Sequence, residues 1–218
     1  VYPYQPPGLW REKDKRRSYE QSQGEGLYRR SLYTIWKRTS PPPAMVAFDA
    51  PSRSTCIASR QRTGTPLQAL VLMNDIQFVE AARCFAERML REGGPQRRQQ
   101  IDFAFRVATG RRPQKEEAKL LSALVDEQLE FYQNHPEEAA QLIGVGEKPA
   151  DEQHDPAELA ALTTVASTLL NHDQFVSMRY NPCTNLWIST AASFFPAPGR
   201  GSAPWHSHNC CPPTPRRP

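Results

Sequence analysis

The chain lacks most of the features that would assign it quickly to a known chemistry. No run of about 18 apolar residues occurs in its 218, which excludes a membrane-spanning helix. Five cysteines are too sparse for a small disulfide scaffold, and eleven glycines without a period exclude a collagen-like chain. There is no Cys-x-x-Cys-His, so this piece holds no covalent haem of its own. The phosphate loop Gly-x-x-x-x-Gly-Lys, the elbow Gly-x-Ser-x-Gly and the zinc helix His-Glu-x-x-His are all missing. Three ordinary catalytic routes are thereby closed at the level of motif, and only a dispersed site stays open.

What is present describes a water-facing globular chain: 39% hydrophobic residues, 23% charged residues and a mean hydropathy of -0.65. That is enough for one fair-sized core or two small ones. The first residue is Val1 in a polar, aromatic stretch, so the expectation is a fragment or processed piece, and the missing signal peptide is uninformative. Charge divides the chain in three. Residues 1–66 hold twelve Lys and Arg against five acids, 67–180 hold twelve against eighteen, and 181–218 hold three Arg and no acid. Proline follows the same division, eight, five and eight, so an acidic helix-friendly middle stands between two Pro-rich basic ends.

Helical periodicity is clearest in that middle. Thr65-Pro66-Leu67-Gln68 reads as a capping box with Pro at the first helical position. After Asn74-Asp75, an apolar face runs through Phe78, Val79, Ala82, Phe85, Ala86, Met89 and Leu90 to Gly93-Gly94-Pro95. Ile101, Phe105 and Ala108 continue until Gly110. A longer helix after Pro113 presents Leu120, Leu121, Leu124, Val125, Gln128 and Phe131. Asp155-Pro156-Ala157-Glu158 reads as a second capping box ahead of Leu159, Leu162, Val165, Ala166, Leu169 and Leu170. The first 66 residues are more irregular. Tyr2 to Gly8 should run extended, Leu27 to Arg38 is read as helix over a short strand, and Pro41-Pro42-Pro43 predicts a polyproline segment. The fold class expected is mainly α, with an irregular Pro-rich N-terminal segment packed on a multi-helix bundle and a disordered tail.

An ordered series of strings carries a family resemblance. It begins with Pro3-Tyr4-Gln5-Pro6-Pro7-Gly8-Leu9-Trp10, Leu27 to Thr34 and Trp36-Lys37-Arg38-Thr39. It continues with Pro41-Pro42-Pro43, Phe48-Asp49-Ala50-Pro51, Arg53, Cys56, Arg62 to Leu70 and Asn74-Asp75. Ala108 to Pro113 and Leu169-Leu170-Asn171 close it. Over roughly residues 1–178 the chain resembles the C-terminal part of the planctomycete-specific domain of unknown function 1553. The resemblance implies an extracytoplasmic, periplasmic or secreted parent protein, and it implies as partners other domains of that parent, a c-type haem domain among them. It implies no activity and no cofactor in this piece. Gly64 stands where the family usually has Asn.

Residues 181–218 depart from all of this, with eight Pro, no acid, and Cys183, Cys210 and Cys211. No period and no core-forming composition is present, which fits either an out-of-frame translation or a disordered extension. The string His206-x-His208-x-Cys210-Cys211 has soft-metal ligands but not a zinc spacing, so no metal site is assigned.

One cluster remains as a candidate site: Asp49, Arg53, Cys56, Arg62, Thr63, Thr65, Asn74 and Asp75. Arginine forks beside a helix N-terminus suit a carboxylate, sulfate or phosphate. The competing reading pairs Arg53 and Arg62 with Asp49 and Asp75 to pin the Pro-rich loop onto the helices. Ligand-binding residues are accordingly taken as Asp49, Arg53, Arg62, Thr63, Asn74 and Asp75, with no catalytic residue assigned. Cys84 reads as a small buried thiol rather than the partner of Cys56, and His135, His154 and His172 as caps or solvent-facing residues. The basic N-terminal third shows no aromatic platform for nucleic acid. The expected function is a non-catalytic helical interaction or scaffold module at the C-terminal end of a larger exported, haem-linked protein. The alternative is a binding or hydrolytic module for anionic polysaccharide.

Overall fold

In the computed structural model, residues 1–5, 19–59 and 63–176 are described; Arg62 and the tail 181–218 lie outside them. Among the described residues every regular element is helical: α1 Pro43–Ala47, α2 Pro66–Asn74, α3 Ile76–Glu92, α4 Arg97–Thr109, α5 Lys115–Asn134, α6 Pro136–Ile143, α7 Pro156–Leu170 and α8 Asp173–Val176. The expected mainly α architecture is what the chain adopts.

The core is built around α7. Leu159, Leu162, Val165 and Leu169 are buried, and the small Ala160, Ala161 and Ala166 let neighbouring helices approach closely. Helices α3, α5, α6 and α4 all pack against it, and α3 contributes Ala82, Phe85, Ala86 and Met89 to the same cluster. Each such large apolar side chain stabilises the fold by about 1.5–3 kcal/mol on burial. The hydroxyls of Thr163, Thr164 and Thr168 donate to carbonyls four residues earlier, so they sit on α7 without an unmet donor.

Local signals set the helix ends. Thr65 and Gln68 form the reciprocal capping box read from the sequence. Asp155 caps α7 by accepting from the Glu158 backbone N–H. Gly110 ends α4 at φ 76, a left-handed conformation that favours glycine. Gln114 and Glu117 make a further capping box at α5.

Three expectations are corrected. Leu27–Arg38 is not an α-helix; its one regular element is a short 3-10 turn at Ser31–Tyr33. Its side chains are used individually instead: Leu27 is buried, Tyr28 reaches across to α3, and Leu32 is exposed. The polyproline run stops at Pro42, because Pro43 takes the first position of α1, where its missing N–H costs nothing. Finally, Leu120 and Phe131 on α5 are exposed, since that helix meets the core through a narrower stripe centred on Leu121 and Val125.

Candidate functional site

The structure distributes the sequence-predicted residues over three local tasks. Asp49 adopts φ 56 and accepts from the Thr63 backbone N–H at 2.8 Å and its hydroxyl at 2.7 Å. Gln68 joins this group, donating from Nε2 to Ala47 O at 2.9 Å and to Thr63 Oγ1 at 3.2 Å. The Pro-directed loop is thereby tied to the first turn of α2. Arg53, also at φ 56, lies exposed with its guanidinium 5.4 Å from the Trp36 ring centroid. Trp36 in turn donates Nε1–H to Ser52 O at 3.0 Å. Asn74 and Asp75 serve the α2–α3 junction: Asn74 donates to Leu70 O, and Asp75 accepts from the Gln77 N–H as the cap of α3. Burial pushes the Asp75 carboxyl above its ordinary range, against the pull of that hydrogen bond. Arg62 lies outside the described residues.

Sequence reasoning missed the densest polar cluster. Glu80, Arg83 and Glu87 project from one side of α3 and are almost wholly buried. Glu80 Oε1 accepts from the Tyr28 hydroxyl at 2.7 Å and the Lys148 backbone N–H at 2.9 Å, while Oε2 accepts from the Tyr4 hydroxyl at 3.1 Å. Arg83 pairs with Glu87 at 2.6 Å and donates to the carbonyls of Lys148 and Pro149. Glu87 also holds the Lys148 ammonium at 3.4 Å and accepts from the Asp151 N–H. The cluster fastens both the N-terminal segment and the 144–151 loop to α3. Burial, then the Glu80 charge and hydrogen bond, push the Tyr4 phenol up to about 12; burial and the Glu80 hydrogen bond push Tyr28 further still. In sequence these three charged residues lie off the apolar stripe of α3 and carry no motif; the available signal was the Gly144-x-Gly146 punctuation, which permits a loop to lie close over them.

Beside this cluster lies a groove of about 810 Å³ between the N-terminal segment, α1, the α2–α3 junction and α8. Tyr4, Leu27, Met45, Phe48, Leu70 and Phe78 supply most of its character, and Asn74 and Asp75 stand on its wall. The predicted residues Asp49, Arg53 and Thr63 do not line it. Along its lip α2 carries no charged residue, yet Leu67, Leu70 and Met73 are all more than half exposed.

Residues 1–125, which contain α1 to α4, this lip and most of the groove, match the family model described as "Protein of unknown function (DUF1553)". The chain belongs to the DUF1553 family. No curated protein and no solved structure matches it. In this DUF1553 chain the family match ends at Val125, inside α5, whereas α7 packs against both α3 and α5. The residues needed to close the core therefore extend past the matched region. Gly64 has no atom of the described residues within 4 Å of where a Cβ would be.

Proposed function

We propose that this DUF1553 domain is a non-catalytic interaction or scaffold module at the C-terminal end of a larger exported protein. The surface it uses is the outer face of α2 with the adjoining groove, and the occupant is another domain of the same parent chain, a c-type haem domain being one. The observation that carries this reading is α2 itself. A helix that is apolar on every side is normally buried, yet Leu67, Leu70, Met73 and the following Ile76 are exposed at 58%, 56%, 55% and 45%. Such a surface gains about 25 cal/mol for each Å² of apolar area that a partner removes from water.

The anionic-polysaccharide reading draws on one observation, the exposed Arg53 guanidinium lying over Trp36. Salt separates the two. The full chain is titrated with the remaining parent domains, expressed separately, and in parallel with sulfated and neutral polysaccharides, each at low and high sodium chloride. Docking through α2 should persist at high salt and weaken at least about tenfold in the L70D/M73D double variant. Binding confined to sulfated chains and abolished by salt, with no association between domains, would overturn the docking proposal.

A further inference from the structure

Cys84 is the one buried nucleophile in the polar cluster whose contact serves no obvious fastening role. It is 7% exposed on α3, and the Lys148 ammonium points at its Sγ from 3.7 Å. That approach is imposed by the backbone. The Lys148 N–H is held by Glu80, and its carbonyl is held by Arg83, so both peptide groups of this residue are pinned to α3. The ammonium also lies 3.4 Å from Glu87 Oε2, and the Lys148 side chain is 41% exposed, so solvent reaches the pair from the lysine side. Burial holds the thiol above its ordinary range; the Lys148 and Arg83 cations oppose that only in part, and the Glu87 and Glu80 carboxylates add to it.

We infer that Cys84 and Lys148 are a cross-linking pair: under a peroxide, they form an S–N bond between Sγ and Nζ that ties the 144–151 loop covalently to α3. In the first step the Cys84 sulfur attacks the peroxide O–O bond, giving a sulfenic acid and releasing water when hydrogen peroxide is the oxidant. The sulfur is oxidised and the peroxide reduced. Glu87 then takes a proton from the Lys148 ammonium, and the freed amine attacks the sulfur. The S–O bond breaks, and the departing hydroxide removes a second amine proton as water. The product is a sulfenamide in which thiol and amine have each lost one hydrogen. Holding the amine against the sulfur converts a bimolecular condensation into an intramolecular one, which is what allows it to outrun further oxidation.

The test uses the full chain, folded, treated with hydrogen peroxide and then digested by a protease that cleaves after glutamate. That digestion releases Cys84 in Ala81–Glu87 and Lys148 in Lys148–Glu152. The expected product is a single species weighing the sum of these peptides less two hydrogens, separated again by dithiothreitol. It should be absent when the chain is unfolded in guanidinium before treatment, and absent in K148R and in C84S. The exposed Cys56 supplies the internal control for ordinary thiol oxidation. Cys84 recovered as sulfinic or sulfonic acid with Lys148 unmodified would overturn the inference. So would Cys84 left reduced while Cys56 is oxidised, Cys84 in a disulfide, or a cross-link that survives dithiothreitol.

Discussion

Gly146 and Glu80 meet so closely that any side chain at position 146 would have to displace the Glu80 carboxylate. A Cβ built on Gly146 would lie 2.5 Å from the Glu80 carboxylate, and the backbone there has φ 101, in the region that favours glycine. Loop and helix are therefore matched through the absence of a side chain. Gly146→Ala should cost about 1–3 kcal/mol from backbone conformation alone, with the contact against Glu80 adding to it. Urea unfolding checks this: the midpoint should fall with little change in slope, and a midpoint equal to that of the parent chain would show that the loop can be displaced freely.

The Arg83–Glu87 pair makes a second prediction, one about interdependence. Arg83 is fully buried, and its Nε has no acceptor among the described residues. Replacing it by Met leaves Glu87 buried with the half-exposed Lys148 as its remaining cation. Arg83→Met should lose about 3–5 kcal/mol, and the double variant Arg83→Met/Glu87→Leu should recover much of that loss. A double-mutant cycle of unfolding free energies measures the coupling, and strict additivity would contradict the pairing.

Most of the helical order was legible in the residues, and the reasons are local. Thr65 with Gln68, Asp155 with Glu158, and Gly110 after Ala108 each mark a helix end by a mechanism that acts within four residues. The short α6, opened by Pro136, spans only eight residues, too few for a recognisable period. Leu27–Arg38 departs from its helical expectation because its fate is decided by distant partners. Tyr28 leaves any local helix to reach Glu80, fifty-two residues away in sequence. The candidate site shows the same limit. Asp49 and Thr63 meet through a hydrogen bond, but Arg53 turns to an aromatic ring that no spacing could foretell. The buried Glu80, Arg83 and Glu87 carry the periodicity of an exposed face, and only the loop folded over them makes them interior.

Acid should reveal the cap of α5. Glu117 takes a paired hydrogen bond from Arg111 at 2.7 and 2.6 Å and one from the Gln114 N–H. The Arg111 hydrogen bond, set against a smaller opposing effect of burial, holds its carboxyl down at about 2, from an ordinary value of 4.5. A carboxyl depressed in the folded state contributes stability that is fully present above its unfolded value and is lost as pH falls from 4.5 towards 2. Because the pair is partly solvated, the contribution is about 1 kcal/mol. Glu117→Gln should flatten the fall in stability over that window, measured as thermal midpoint against pH, and an unchanged slope would refute it.

Alkali should act on the phenols instead. Tyr4 and Tyr19 are pushed up to about 12, in both cases chiefly by burial, from an ordinary value of 10.0. A phenol raised in this way contributes stability that is intact below pH 10 and declines as pH rises through about 12. Titration followed by phenolate absorbance should therefore show a late group of tyrosines whose ionisation coincides with release of the N-terminal segment. In Glu80→Gln the Tyr4 component should move down, since the carboxylate charge that opposes its ionisation is gone. A titration in which all tyrosines ionise together near pH 10 in the folded chain would contradict the buried contact.

Gly64 offers the opposite test to Gly146, because there a side chain should be welcome. A Cβ at this position meets no atom of the described residues within 4 Å, and its backbone is outside the positive-φ region. It sits between Thr63, which donates to Asp49, and Thr65, which caps α2, so its conformation is fixed from both sides. Glycine here lowers stability by giving the unfolded chain extra freedom without serving any contact in the folded one. Gly64→Ala should therefore raise the unfolding free energy by about 0.4–1 kcal/mol, and Gly64→Asn should be tolerated as well. Thermal midpoints of the two variants decide it. A loss of stability in both would mean that the loop between Asp49 and α2 needs glycine for a reason other than space.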